Sequence, residues 1–287
     1  MRSPLVLLPI FALTACSPVR PSAHSPAPIR PPAAERVVEN NPAPQTELVE
    51  KSSDPTPARQ ATPARAPKMT RIRLSGIEFI GITFDSQTHH LIVVDQPRGP
   101  GSLWPDAESA ARAKHGIAAI NAGFFTPEGA PLGKVVSAGN PAGAWNRSSL
   151  GSGVFFESRS GILSIERRQK VDSNQQELLQ AGPFLRENSR MVDGLSDGKT
   201  SARSFIAWDG ANRWWIGRAS PCTLKKLAST LAQQSPCGFP IQTALNLDGG
   251  RSSDLFISGN VSGGPIVERG ILNRPVRNFL ILTRKNP

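Results

Sequence analysis

The feature that most limits how this chain can fold is a change of composition near residue 68. Residues 17–68 contain 12 prolines and no Phe, Trp or Tyr, with charges of both signs scattered among them. Such a segment cannot bury enough apolar surface to offset chain entropy, so we expect it to be disordered and partly polyproline-like. We interpret residues 16–68 as a tether, with binding through its Pro-Ala repeats as the alternative. A packed domain is therefore expected only in residues 69–287.

The N-terminus is typical of an exported protein. Arg2 precedes an apolar run at 5–13, which is too short for a bilayer-spanning helix, so residues 1–15 are predicted to be a signal peptide. The sequence Leu-Thr-Ala-Cys at 13–16 resembles the bacterial lipobox, which implies acylation (palmitate included) of Cys16. Ser17 after that cysteine implies the outer membrane facing the periplasm. An ordinary signal peptide with an incidental cysteine is the alternative.

The net charge of the domain indicates what kind of partner it can bind. Residues 69–287 carry 25 Lys and Arg against 17 Asp and Glu, and excess positive charge favours anionic partners. Nucleic acid is disfavoured because no basic run is interleaved with aromatic residues.

Cys222 and Cys237 bracket a segment with helical spacing. In an oxidising compartment such a pair is expected to form a disulfide.

Short alternating segments predict a domain made mostly of strands. Helical spacing occurs at 105–115 and 223–234, and about three helices are expected in all. The fold class is therefore predicted as α+β: a single domain with a mixed β-sheet core and a few flanking helices. Strands are predicted at these positions: 72–84, 90–95, 117–120, 153–157, 161–165, 204–208, 214–218, 243–247, 255–257 and 278–283.

Five segments place polar groups beside strand ends, mostly next to glycine. Each has a structural explanation of its own; for example, the segment at 180–185 could follow a helix end. They are Asn-Ala-Gly-Phe-Phe at 121–125, Gln-Ala-Gly-Pro-Phe-Leu at 180–185, Ser-Ala-Arg-Ser at 201–204, Leu-Asn-Leu-Asp-Gly-Gly-Arg-Ser-Ser at 245–253 and Arg-Pro-Val-Arg-Asn at 274–278.

Together and in this order, the five segments resemble the phosphodiester glycosidase family over residues 120–277. That family includes the lysosomal uncovering enzymes, which remove N-acetylglucosamine from its phosphodiester on mannose. Two positions depart from the family pattern, which usually has Gly where this chain has Ala122 and Arg251. Alanine is a small change if the backbone there is not left-handed. A guanidinium at position 251 would favour an anionic substrate and narrow the site.

The resemblance implies hydrolysis of a sugar-1-phosphodiester, a reaction that needs fewer protein groups than ordinary glycoside hydrolysis. A phosphate leaving group is stable as an anion, so a second carboxyl to protonate it is less necessary. Asp248 is the candidate base or nucleophile, and Asn121, the second candidate catalytic residue, is expected to orient a sugar hydroxyl, the acetamido group or a phosphate oxygen. The groups expected to bind phosphate or substrate are Arg203, Arg277, Gly249, Gly250, Ser252, Ser253 and Gly123.

Each assignment has a rival. Asp248 could cap a turn or ligate a structural cation, the arginines could form internal ion pairs, and Asn121 could satisfy buried backbone groups. Glu128, Asp254 and Glu268 are reserve candidates for a second carboxylate.

The residue content also bears on cofactors and on the choice of function. No cofactor is expected to be required, although a divalent cation stays open. Scarce histidines disfavour a dinuclear metallophosphodiesterase. A Ser-His-Asp hydrolase lacks its Gly-x-Ser-x-Gly turn. The second functional hypothesis is a non-catalytic lipoprotein that binds phosphate-bearing envelope glycans.

Overall fold

The structure is a computed structural model that describes residues 65–285. The predicted signal peptide, the lipidation at Cys16 and nearly all of the tether lie outside these residues. The first strand begins at Lys68, one residue before the predicted start of the domain. In the described part of the chain, no helix has the length and apolar character needed to cross a membrane.

Strands dominate the described residues. The first nine are β1 (Lys68–Leu74), β2 (Ile77–Asp85), β3 (His89–Asp95), β4 (Ala118–Asn121), β5 (Val135–Ser137), β6 (Asn140–Ala142), β7 (Gly153–Glu157), β8 (Leu163–Arg167) and β9 (Glu177–Ala181). The rest are β10 (Phe184–Glu187), β11 (Arg190–Met191), β12 (Ser201–Trp208), β13 (Arg213–Cys222), β14 (Thr243–Asn246), β15 (Asp254–Ile257), β16 (Ile266–Arg269) and β17 (Asn278–Arg284).

The strands form three sheets rather than one mixed sheet. Sheet 1 has the order β1-β2-β13-β12-β14-β10-β11, sheet 2 has β16-β15-β4-β17-β3, and sheet 3 has β6-β5-β9-β7-β8. Every strand pair in them is antiparallel. The prediction of a mixed sheet was therefore wrong. Parallel neighbours need long crossovers, usually helical, and this domain has few helices to supply them.

Two α-helices flank the sheets in the part of the chain that the structure describes, one fewer than expected. Helix α1 (Ala107–Ala113) begins after a capping box at Asp106, and helix α2 (Leu224–Gln233) begins after Thr223, whose side chain accepts from the Lys226 amide. The segment before the Gly-Pro at 182–183 is strand β9 and not the end of a helix. The α+β class therefore holds only loosely, because strand dominates.

The two adjacent tryptophans of β13 show that sheet 1 is covered on both faces. Trp214 and Trp215 are both fully buried, yet they belong to different core clusters because neighbouring side chains of a strand point to opposite faces. Trp214 packs in the main core, which draws residues from all three sheets. Trp215 packs in the second core, with the buried face of α2. A Cβ on Gly81 would lie 2.2 Å from the Trp215 ring, so this strand position requires glycine.

The predicted disulfide between Cys222 and Cys237 is wrong, because both are buried free thiols in the structure. Cys222 ends β13, and α2 then runs back along sheet 1. The Cys237 carbonyl accepts from the side chain of Thr83, whose strand partner is Trp215. Trp215 and Cys222 are seven residues apart on one strand, about 23 Å. Cys237 therefore lies near one end of β13 and Cys222 at the other. A disulfide needs Cα atoms within about 7 Å, so the two thiols are too far apart to pair.

Candidate active site

The candidate site lies where the chain passes from sheet 1 to sheet 2. Strand β14 ends at Asn246 in sheet 1, and β15 begins at Asp254 in sheet 2. The Leu247 amide donates to the Ser204 carbonyl on β12, whereas the Asp248 amide donates to the Ala122 carbonyl, just after β4. Residue 248 is therefore the point at which the backbone leaves one sheet and joins the other.

Asp248 opens onto a cleft of about 350 Å³. The carboxyl is the one acidic group that lines this cleft among residues 65–285, and four cationic side chains line it as well. The remaining lining is mainly apolar or amide. The cations are Lys199, Arg203, Arg251 and Arg274; the other lining residues include Phe124, Leu150, Pro183, Leu224 and Asn246. A cleft with this charge balance is suited to an anionic ligand.

The glycines after Asp248 shape the floor of the cleft. A Cβ on Gly249 would lie 2.7 Å from the Ala202 carbonyl oxygen, so the chain could not pass β12 this closely with any other residue. Gly250 has φ of +62°, a left-handed conformation that favours glycine. The Gly249 amide donates to Asp248 Oδ1 over 2.9 Å. The expectation that this amide faces a bound anion is therefore wrong for the structure described, since it holds the carboxylate instead.

Burial and hydrogen bonding act in opposite directions on Asp248. Burial raises the pKa of this carboxyl above its ordinary value, whereas the Ser252 hydroxyl, the Gly249 amide and the charge of Arg274 lower it by a smaller amount. The net effect is a raised pKa and hence a more basic carboxylate. Arg274 rests on the ring of Phe125 at 4.8 Å, which holds its charge near Asp248.

Asn121 supports Asp248 from behind and does not line the cleft. Its side chain is fully buried, with Nδ2 donating to the Asp248 carbonyl over 2.6 Å. Its Oδ1 accepts from the Ser204 hydroxyl at 2.7 Å and from the Asp254 amide at 3.1 Å. Ser253 is buried in the same network, at 3.2 Å from the Ser204 hydroxyl. The structure thus places Asn121 and Ser253 as supports of the loop, against the expectation that they touch substrate.

Arg277 lies outside the cleft lining, contrary to its predicted contact with phosphate. Its guanidinium makes two bonds to the carboxylate of Asp95, at 2.7 and 2.8 Å, and a third to the Gly129 carbonyl at 3.0 Å. The rival interpretation from sequence, an internal ion pair, is the arrangement observed. Arg274, three residues earlier in the same motif, is the one that reaches the cleft, and nothing in the motif distinguishes the two arginines.

Arg203 does line the cleft, at the edge of β12. Its Nε donates to the Cys222 carbonyl over 3.0 Å and one Nη to the Lys199 carbonyl over 2.7 Å, which orients the guanidinium. Burial lowers its pKa. Lys199 stands beside it on the lining, and no sequence motif had marked that lysine.

The remaining predicted residues have supporting positions. The Gly123 amide donates to the Asn278 side chain over 2.7 Å, away from the cleft. Ser252 is almost fully buried, and its hydroxyl lies 3.5 Å from Arg274 Nε. Ala122 does not have positive φ, so alanine fits this position. Of the reserve carboxylates, Glu128, Asp254 and Glu268 all lie off the cleft lining. Within residues 65–285, no three His, Cys, Asp or Glu side chains form a group that could hold a metal ion.

The fold and the cleft together define a β-rich protein with a cationic, single-carboxylate site. The sequence model of the phosphodiester glycosidase family matches residues 114–283, and the chain belongs to this family.

Comparison with other known proteins supports the fold. The structure is similar to the zebrafish N-acetylglucosamine-1-phosphodiester alpha-N-acetylglucosaminidase catalytic domain, auto-inhibited by its pro-peptide. The TM-score is 0.53 at 17% identity, over 76% of this chain and 82% of that one. A hypothetical protein from Synechocystis has a TM-score of 0.51 at 17% identity, over 76% of this chain and 61% of that one. At such identity the likeness shows the fold alone. No curated protein sequence matches the chain.

Proposed function

We propose that this protein is a hydrolase that cleaves the bond between the anomeric carbon and the phosphate of a sugar-1-phosphodiester. The observation that carries the proposal is the pairing of one carboxyl, Asp248, with four cationic side chains in one cleft. Membership in the phosphodiester glycosidase family supports the reaction class. The zebrafish protein of similar fold is described as acting on an N-acetylglucosamine-1-phosphodiester, which makes that sugar the first to test.

The reaction divides between the carboxylate and the cations. Water adds to the anomeric carbon, the carbon–oxygen bond to phosphate breaks, and the phosphomonoester leaves as an anion. Asp248 would take the proton from the attacking water, or attack the anomeric carbon itself and be released by water afterwards. Its raised pKa favours the first role, since a more basic carboxylate accepts a proton more readily.

Two of the four cations, Arg203 and Arg274, stabilise the charge that develops on the leaving group. Arg203 is oriented by two backbone carbonyls and Arg274 by stacking on Phe125, so both are held before substrate arrives. Preorganised charge of this kind stabilises a transition state without reorganisation of the site. Bidentate contacts from guanidinium groups match the geometry of phosphate oxygens. A leaving group stabilised in this way needs no second carboxyl.

The cellular setting that we propose is the bacterial envelope, with the chain anchored through a lipid on Cys16. This proposal rests on the sequence of residues 1–16. Its test is mass spectrometry of the protein isolated from membranes. Acyl chains on an N-terminal Cys16 would support the anchor, and an unmodified N-terminus beyond residue 16 would exclude it.

The test of the enzymatic proposal uses the full chain and the methyl diester of N-acetylglucosamine 1-phosphate, in which the phosphate joins the anomeric carbon to a methyl group. The products are identified by NMR. Free N-acetylglucosamine from the parent and none from Asp248→Asn is the expected result. Release of N-acetylglucosamine 1-phosphate would instead mean that the other ester bond is cut, and the proposal would fail. Asp209→Asn is the matched control, because Asp209 lies in a hairpin turn away from the cleft, and it should retain parental activity.

A further inference from the structure

The four cations that line the cleft have no ion-pair partner among the described residues. Six of the 16 other arginines within residues 65–285 do bind carboxylates: Arg71, Arg112, Arg167, Arg218, Arg269 and Arg277. Arg203 and Arg251 bind backbone carbonyl oxygens, and Arg274 lies at the Ser252 hydroxyl and on the Phe125 ring. Among the residues that line the cleft, only Asp248 brings a compensating negative charge.

This charge exceeds what a simple substrate would neutralise. A sugar-1-phosphodiester with an uncharged aglycone brings a single negative charge, and Asp248 adds one more when ionised. Two of the four cations would then stay uncompensated in the bound complex. Clustered positive charges repel one another and raise the affinity for a further anion.

The cations differ in depth, which divides the cleft into two parts. Arg203 is half-buried and Arg274 lies near Asp248, whereas Lys199 and Arg251 are exposed at the mouth. Arg251 is held at the mouth by its Nε, which donates to the Leu272 carbonyl over 2.9 Å, and its own carbonyl accepts from the Arg274 amide at 3.0 Å. These two bonds tie Arg251 to the loop that carries Arg274.

We infer that the mouth of the cleft is a second anion subsite, and that the natural aglycone carries at least one negatively charged group beyond the scissile phosphodiester. This inference rests on the proposed function for the position of the first phosphate. Arg251 is its principal residue, and Lys199 is the other exposed cation assigned to it. The substrate class is a sugar-1-phosphodiester whose aglycone bears a phosphate or carboxylate.

The test compares two diesters of the same sugar with the full chain. One is N-acetylglucosamine-1-phosphoglycerol, which has one negative charge. The other is the same compound with a phosphomonoester on the glycerol. We expect kcat/KM to be about tenfold higher for the second, because a charge-assisted hydrogen bond to a guanidinium is worth on the order of 1.4 kcal/mol. The preference should shrink as salt is raised from 0.05 to 0.5 M, on the scale set by charge screening.

The variants are Arg251→Gln and, as a matched control, Arg73→Gln, which removes an exposed arginine on β1 that does not line the cleft. Arg251→Gln should lose most of the preference while its kcat/KM for the mono-anionic diester stays within about twofold of the parent. Arg73→Gln should keep the preference. Equal rates for both diesters in the parent, or an equal loss for both in Arg251→Gln, would overturn the inference.

Calorimetric binding of the two diesters to Asp248→Asn separates this inference from the proposed function. Tighter binding of the second diester, with no turnover by the parent, would support the anion subsite and remove the hydrolase proposal. Turnover by the parent, with equal binding and equal rates for the two diesters, would support the hydrolase proposal and remove the anion subsite.

Discussion

The side-chain amide of Asn121 donates to the backbone carbonyl of Asp248 over 2.6 Å. It joins the end of a strand in sheet 2 to the residue at which the chain leaves sheet 1. This hydrogen bond fixes the backbone of Asp248, the candidate base or nucleophile, so that its carboxylate stays directed to the cleft.

Replacement of Asn121 by alanine should lower the free energy of unfolding by about 2–4 kcal/mol, since buried partners on Ser204, Asp248 and Asp254 lose their bonds. Chemical denaturation measures this. Asn140→Ala is the control, because Asn140 is exposed in a hairpin, and its effect should stay within about 0.5 kcal/mol. Equal effects of the two variants would contradict the supporting role of Asn121.

Asp248→Asn should abolish sugar release and yet stabilise the protein at pH 7. Burial raises the pKa of Asp248 in the folded state, so ionisation favours the unfolded state. The stability due to this group is present at low pH and is lost as pH rises through the folded-state pKa. An uncharged amide avoids that loss. A lower melting temperature for the variant than for the parent at pH 7 would show that the carboxylate is stabilised in the fold.

Arg274→Gln should move the acid limb of the activity profile to higher pH. The charge of Arg274 lowers the pKa of Asp248, so its removal lets that pKa rise and delays formation of the active carboxylate as pH increases. A pH series of kcat/KM for the parent and variant measures the shift. An unmoved acid limb would mean that Asp248 is not the titrating group or that Arg274 does not influence it.

Arg277→Met is predicted to affect stability and not substrate binding. The ion pair with Asp95 is almost fully buried, and loss of one partner from such a pair costs about 3–5 kcal/mol. KM of the folded variant should equal that of the parent. A raised KM with unchanged stability would return Arg277 to the phosphate-binding role expected from its motif.

Glu177 should make stability fall as pH approaches neutrality. Burial, with a smaller effect from Glu157 opposite it on β7, raises the pKa of Glu177 to about 7, although the amides of Val93 and Ala138 act against this. A raised folded-state pKa means that the stabilisation is complete below the ordinary glutamate pKa and is lost as pH rises through about 7. Unfolding free energies of the parent and Glu177→Gln from pH 4.5 to 8 test this, as do those of the exposed-site control Glu108→Gln. A parental curve parallel to that of Glu177→Gln would contradict it.

Much of the fold could be predicted from local pattern. Strands β2, β3, β12, β13 and β17 follow the alternation of apolar residues within a few positions. Strands β5, β6, β9–β11 and β16 were missed, because each has five residues or fewer, too few to show a clear alternation. The disulfide prediction failed because the two cysteines flank helix α2, and a ten-residue helix is about 15 Å long, more than a disulfide can span.

The position of the site loop could be predicted from the sequence, but the contacts of its individual side chains could not. The Gly-Gly pair after Asp248 marked a tight strand end, and the structure places that residue in a cleft. Asn121, Ser253 and Arg277 were expected at the substrate but lie behind it, because a polar residue beside a strand end can face inward or outward with the same sequence pattern. The direction in which such a side chain faces depends on how the two sheets pack at that point.

The loop at 248–253 is fastened mainly through its backbone. Asp248 bonds to Asn121 and Ala122 on the inner side, and the carbonyls of Arg251 and Ser253 accept from the Arg274 amide and the Asn273 side chain on the outer side. The side chain of Arg251, by contrast, bonds only to the Leu272 carbonyl of an exposed turn. Position 251 can therefore change during divergence of the family without disturbing the scaffold. Under the proposed function, the chemistry and the choice of substrate would therefore belong to separate residues of the same six-residue segment and could be mutated independently.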